Sequence, residues 1–169
     1  RIRVGDAHQQ LLMTISRTFD YALVREVMTH PQVWPHITDD GSPAVEEFQV
    51  PETDLVYYVL AQDGKEVIGV WMLVPENAIC WEVHTCILPS AWGERARRAA
   101  RIAITHVWLS TPCQRLTTVV PEYNRLALRF ARQAGFEEWG RNPQSILKGG
   151  KLFDQIHLGL SKGEVCRQQ

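Results

Sequence analysis

The sequence predicts a mixed α/β domain whose elements follow the order β-α-β-β-β-α-β-α-β-β. Three observations carry that prediction. Short apolar and β-branched runs recur between Gly, Pro, Asn and Asp turn signals. Two segments, Ala91 to Leu109 and Asn124 to Phe136, switch to helical spacing. The first of these helices lies between two strand-like runs; if those runs are neighbours in one sheet, they are parallel and the crossover is right-handed. With 169 residues and 45% hydrophobic side chains, the chain suits one domain, residues 1–169, with a sizeable core.

Leu11 to Ser16 reads as the first strand. Asp20 to Thr29 follows as a helix capped by Thr18 or Asp20, whose side-chain oxygens can accept from unpaired N–H groups. Pro31, Pro35, Gly41 and Pro43 then break the chain into a loop. Val56 to Ala61 and Val67 to Val74 form a hairpin around Gln62-Asp-Gly-Lys. The turn Pro75-Glu-Asn leads to a long strand, Ile79 to Leu88. In the next helix Ala96, Ala99, Ala103 and Val107 share one face. Leu116 to Val120 is a short strand, and Pro121-Glu-Tyr-Asn opens a helix ending before Gly135 at the C′ position. On that helix Leu126, Phe130 and Ala134 read as core. Glu137 to Leu147 and Leu152 to Leu160 close the order around Lys148-Gly-Gly-Lys.

The formal charge of −1 argues against a nucleic-acid binder working by phosphate neutralisation. Charge is nevertheless uneven. Arg95, Arg97, Arg98 and Arg101 crowd one segment, and Asp39, Asp40, Glu46 and Glu47 another, which suits a polyanion and a cationic substrate respectively. An exposed acidic loop explains the second cluster equally well. Cys80, Cys86, Cys113 and Cys166 show no Cys-x-x-Cys pair, so a reduced, cytoplasmic protein is expected. No apolar run is long enough to span a bilayer, and Arg1 to Gln10 lacks a signal-peptide apolar region. The chain begins at Arg1, so further residues are expected upstream. No metal-ligand spacing stands out, and no metal is expected.

Chemistry concentrates in Glu82 to Arg98. Alternation puts Cys80, Glu82, His84 and Cys86 on one strand face and Trp81, Val83 and Ile87 on the other. Glu82 and His84 then stand about 7 Å apart, at a rise of ~3.3 Å per residue. The residues alone fit either a proton-accepting pair or an exposed carboxylate beside an interior histidine. Trp92 and Gly93 precede a helix start, where unpaired N–H groups and the positive dipole end suit a pyrophosphate. A plain helix start with a solvated arginine face fits too. Asn124 is a natural helix cap. Cys86, on a buried strand, reads as a small apolar residue rather than a nucleophile.

Asn124…Ala127…Phe130…Gly135-Phe136 resembles the Asn-x-x-Ala…Gly-Phe helix of the GNAT superfamily of acetyl-coenzyme A-dependent N-acetyltransferases. Glu82 lies on the strand where many of its members carry a catalytic glutamate. The phrasing Glu-x-His…Leu-Pro…Gly, then Pro-x-x-Asn-x-x-Ala, is similar to GNAT-like proteins encoded by tailed bacteriophages, for which the compartment is the host cytoplasm. The element order matches over nearly the whole chain, and the specific resemblance covers Glu82 to Phe136.

The resemblance implies about seven strands, about four helices and a splay between the parallel fourth and fifth strands. It implies acetyl-CoA as co-substrate and an amine acceptor, either a small molecule or a protein amine, in a monomer or homodimer. By position, the backbone of Cys86, Ile87 and Leu88 binds the pantetheine arm, Trp92, Gly93, Glu94, Arg95, Ala96 and Arg97 wrap the pyrophosphate, and Asn124 and Phe130 meet the cofactor arm. Glu82 is the implied general base, with His84 as second candidate or relay. Backbone N–H groups near Cys86 and Ile87 are the expected oxyanion donors.

Two departures stand out. Arg95 and Arg97 replace small residues of the family's phosphate loop. Phe130 corresponds to the tyrosine that often protonates the leaving thiolate, which leaves water or Tyr123 for that task. The alternative to an enzyme is therefore a GNAT-fold binding module that has lost its cofactor. Trp34, Tyr57 and Tyr58 fit either an acceptor site or the core.

Overall fold

The computed structural model describes residues 12–165; Leu11, Cys166 and the Arg1 to Gln10 segment lie outside them. The order is β1 (Met13–Arg17), α1 (Tyr21–Met28), α2 (Trp34–Ile37), β2 (Tyr57–Asp63), β3 (Glu66–Pro75), β4 (Cys80–Ile87), α3 (Glu94–Ser110), β5 (Arg115–Pro121), α4 (Arg125–Gln133), β6 (Glu137–Lys148), β7 (Lys151–Ser161) and α5 (Lys162–Val165). Seven strands form one sheet in the order β1-β2-β3-β4-β5-β7-β6. Neighbours are antiparallel except β4 and β5. The helix expected to act as a crossover, α3, connects that parallel pair.

Alternation along the strands gives the sheet two apolar faces. Val59, Trp71, Leu73, Trp81, Val83, Leu116, Val120 and Leu158 face one side, with the buried alanines of α3 and Leu128 of α4. Tyr58, Leu60, Val70 and Cys86 face the other, beneath Val24, Val27 and Met28 of α1. The expected apolar stripe of α3 is present and includes Ala100 and Trp108 as well. Small side chains there let the helix lie close to the sheet.

Local chemistry sets the helix ends. Asp20 Oδ1 accepts from the Leu23 N–H at 3.0 Å, and Thr18 Oγ1 accepts from the Asp20 N–H at 3.1 Å, so both candidate residues take part in the first cap. Helix α4 ends in a Schellman arrangement: Phe136 N–H donates to the Ala131 carbonyl and Gly135 N–H to that of Arg132, both at 3.0 Å. Gly135 has φ +100°, the conformation that favours glycine at that position.

Three expectations need correction. The segment read as loop contains α2, a single turn started by Pro35 within its first positions. Helix α3 starts at Glu94, directly after Gly93, so the helical spacing read from Ala91 begins too early: Pro89–Ala91 forms a separate 3-10 turn and Gly93 has φ +104°. On α4, Leu126 is exposed rather than core; it lies in the first turn, and Leu128 is buried in its place.

Candidate functional site

The β4 backbone is committed to β3 along its whole length but to β5 only at its start. Its register with β3 runs from Trp81 opposite Pro75 to Ile87 opposite Gly69. That with β5 stops at Glu82 opposite Thr117. Past that point Thr118 Oγ1 donates to the Val83 carbonyl at 3.0 Å, and the two strands separate. Leu88 N–H donates to Ile68 and Glu76 N–H to Cys80, both in the β3–β4 register. The antiparallel alternation therefore turns the backbone groups of His84 and Cys86 toward β3, and those of Thr85 and Ile87 into the gap.

Of the expected Cys86 to Leu88 run, only Ile87 thus presents its N–H to the gap. Thr85, not anticipated, is the second gap-facing residue. The Ile87 carbonyl already accepts from Trp92 Nε1 at 2.9 Å. The Cys86 side chain is buried, and burial pushes its thiol up to about 12, which makes it a poor nucleophile.

A cleft of about 1000 Å³ passes through this gap, lined by α3 and α4 on one side and by the α1–β2 segment and β6–β7 on the other. Glu82 and His84 share the second side. Their side chains lean together until His84 Nε2 lies 2.7 Å from Glu82 Oε1, much closer than the spacing of their backbone positions. The hydrogen bond from His84 holds the Glu82 carboxyl below its ordinary range; burial opposes this, and the charges of His84 and His157 reinforce it. Glu82 is consequently ionised at neutral pH. His157 faces the same cleft from β7, opposite Val119 of β5 and with its ring tilted against Trp139. Sequence reasoning passed it over, because its proximity to Glu82 depends on the β5–β7 register.

At the start of α3, Gly93 is the N-cap, and among the described residues no side chain satisfies the first N–H groups. Its positive φ would strain any residue bearing a Cβ. Trp92, Gly93, Ala96 and Arg97 line the cleft. Arg95 does not: its guanidinium reaches the β2–β3 hairpin, pairing with Glu66 at 2.6 Å and Asp63 at 3.5 Å. Arg97 pairs with the exposed Glu94 at 2.9 Å. Of the two arginines expected to crowd a phosphate loop, Arg95 is therefore directed away from it, while Arg97 stays at the cleft.

From the α4 side, Asn124 caps the helix through Oδ1, which accepts from Ala127 N–H at 3.1 Å. It also lines the cleft, as do Phe130 and Tyr123. Phe130 packs partly against the core. Tyr123 stacks edge-on against Phe153, and its phenol is raised by burial and by Asp39 and Asp40. It therefore keeps its proton at neutral pH. Among the three aromatics read as acceptor-site or core, Trp34 lines the cleft. Tyr58 is buried with its hydroxyl on the Pro51 carbonyl, and Tyr57 packs on Trp81 beneath the Arg17 guanidinium.

The acidic stretch divides by function. Asp40 Oδ1 and Oδ2 accept from the Gly149 and Gly150 N–H groups, each at 2.8 Å. Lys148 Nζ returns the tie by donating to the Pro35 and Thr38 carbonyls. Asp39 lines the cleft, whereas Glu46 and Glu47 do not. Among the described residues no helix is long and apolar enough to cross a membrane.

No family model matches the sequence, and no curated protein matches it significantly. Solved structures do match. Spermidine N-acetyltransferase from Vibrio cholerae, in complex with CoA and spermine, superposes with a TM-score of 0.74 at 15% identity, covering 91% of this chain and 98% of that chain. A SpeG chimera of Vibrio cholerae and hSSAT sequences gives 0.75 at 15% identity, covering 92% and 99%. The Vibrio cholerae SpeG structure with manganese ions gives 0.67 at 16% identity, covering 93% and 97%. At such identities the likeness establishes the fold: this chain has the GNAT fold, with the splayed parallel pair that the resemblance implies.

Proposed function

We propose that this chain transfers the acetyl group of acetyl-CoA to an amine. The observation that carries the reading is the gap between β4 and β5, lined by unshared backbone groups and opening beside the Glu82–His84 pair. The Vibrio cholerae enzyme of the same fold is solved with CoA and spermine, which supports the same pairing of cofactor and amine here.

The chain's own residues fit the cofactor. Thr85 offers its backbone N–H and carbonyl to an extended amide-bearing arm, as an added strand does, and the Ile87 N–H, its carbonyl held by Trp92, is left for the thioester oxygen. The uncapped start of α3 suits a pyrophosphate, with Arg97 at hand for its charge. The unused amide nitrogen of Asn124 is a further donor. Of the two arginines behind the alternative of a defunct phosphate loop, Arg95 is held by Glu66 away from the cleft, and Arg97 remains at it.

Acetyl-CoA supplies an activated acyl group and a thiol leaving group. An ordinary alkylammonium has a pKa near ~10.4, so presenting its free base at neutral pH costs roughly 4 to 5 kcal/mol. The Glu82–His84 pair takes up that proton as a unit. Glu82 accepts the Nε2 proton of His84 and leaves Nδ1 with its lone pair, so the imidazole receives the proton and the carboxylate stabilises the cation formed. The Ile87 N–H serves as oxyanion donor. Tyr123 supplies the proton to the departing thiolate, since Phe130 has none.

Titration calorimetry with acetyl-CoA, followed by thiol release in the presence of amines, tests this. Saturable heat is expected. At a hundredfold excess over Kd the melting temperature is expected to rise by roughly 5 to 10 °C. No heat and no shift at saturating acetyl-CoA would overturn the reading in favour of a binding module.

A further inference from the structure

The acceptor side of the cleft carries little negative charge. Besides Glu82, the described residues of its lining include one carboxylate, Asp39, whose Oδ1 already accepts from the Gly41 N–H at 2.8 Å. Both oxygens of Asp40 are taken by the β6–β7 turn. The Lys148 ammonium is bonded to the Pro35 and Thr38 carbonyls of the same wall, so a cation already stands there. A polyamine needs anionic partners spaced along its length, and this wall does not offer them.

What the wall does offer is apolar. Trp34 and Phe48 lie with ring centroids 5.0 Å apart. Ile37, 37% exposed, continues the surface, and Met72 and Ile146 line it from β3 and β6. Met72 lies directly opposite His84 in the β3–β4 register, so this surface begins beside the reactive pair. The Asp40 and Lys148 ties join the α2 loop to the β6–β7 turn, both of whose elements line the cleft, which suits a small molecule better than a protein segment.

We infer that the acceptor is a small primary amine carried on an apolar, aromatic or alkyl body, with its nitrogen at Glu82–His84 and its body against Trp34, Ile37 and Phe48. This rests on the acetyl-transfer reading and deepens it. It parts company with the spermine seen in the Vibrio cholerae enzyme, although the fold is shared.

The test compares kcat/KM for ethylamine, hexylamine, 2-phenylethylamine and spermidine by thiol release, with acetyl-CoA binding measured separately. An apolar body worth one or more buried methylenes is expected to raise kcat/KM at least about tenfold over ethylamine, with spermidine no better than ethylamine. Replacing the exposed Ile37→Glu, where folding is least at risk, is expected to raise KM for 2-phenylethylamine with little change in kcat. Trp34→Ala is expected to do the same more strongly. Spermidine preferred over the apolar amines, or no dependence on the apolar body, would overturn the inference while leaving acetyl transfer intact. Absence of acetyl-CoA binding would remove both.

Discussion

Thr118 gives its hydroxyl proton to the Val83 carbonyl across 3.0 Å, and beyond that bond β4 and β5 no longer share a ladder. A side chain thus satisfies the carbonyl that the next β5 amide would have met had pairing continued. The separation exposes backbone groups in the middle of a sheet, where every strand is otherwise paired. Unmet polar groups in such a place are costly, and a bound amide-bearing ligand relieves the cost. The Glu82–His84 pair stands at the same divergence, so the proposed binding and the proposed proton transfer share one structural cause.

Replacing Glu82→Gln preserves shape and removes the carboxylate charge. Turnover is expected to fall by about a hundredfold or more, within the range of lost acid–base catalysis, with acetyl-CoA affinity unchanged by calorimetry. His84→Asn is expected to cause a loss of similar size. The double variant should be little worse than either single one, because groups acting as a unit are not additive. Unchanged turnover in Glu82→Gln removes the carboxylate from the mechanism.

Arg95 and Arg97 should behave differently. If Arg97 pairs with the pyrophosphate as proposed, Arg97→Ala is expected to weaken acetyl-CoA binding about threefold to tenfold, with a smaller salt dependence than the parent. Arg95→Ala breaks pairs with Glu66 and Asp63 on the β2–β3 hairpin and is expected to leave cofactor affinity unchanged. Titrations at two salt concentrations separate the two variants. An equal effect of both would place Arg95 at the ligand.

At Gly93, φ +104° excludes a comfortable Cβ although nothing crowds the position. Gly93→Ala is therefore expected to destabilise the fold by about 1 to 2 kcal/mol and to weaken acetyl-CoA binding by shifting the α3 start. Urea midpoints and calorimetry on the same preparation check both effects.

Acid sensitivity follows from Glu82. Its folded-state pKa lies below the ordinary 4.5, first through the His84 hydrogen bond. The stabilisation this represents is complete above the unfolded value and is lost as pH falls through the folded one. The melting-temperature difference between the parent and His84→Ala is expected to narrow as pH drops from about 6 to about 3. A difference that stays constant over that window would show that the pair adds nothing pH-dependent to stability.

Much of the fold was legible because it follows from short-range rules. Period-two alternation from Ile79 to Leu88 puts Glu82 and His84 on one face, where the structure has them in contact. Helical spacing over Ala96 to Val107 marks the buried stripe of α3. Gly135 marks the end of α4. The rest depends on pairings that no local pattern encodes. The direction of Arg95 is decided by carboxylates about thirty residues earlier. His157 joins the cleft through the β5–β7 register. Which amides of β4 face the gap requires the β3–β4 register, which turns Thr85 and Ile87 outward and Cys86 inward. The α2 turn was hidden because four residues among prolines carry too short a pattern to separate helix from loop.

The most direct test of the central claim is residue-resolved amide hydrogen exchange along β4, with and without saturating acetyl-CoA. The account predicts that the Thr85 and Ile87 amides slow markedly on binding, while Cys86 and Leu88, already bonded toward β3, change little. Exchange at Thr85 and Ile87 that is unaltered by saturating acetyl-CoA would contradict it.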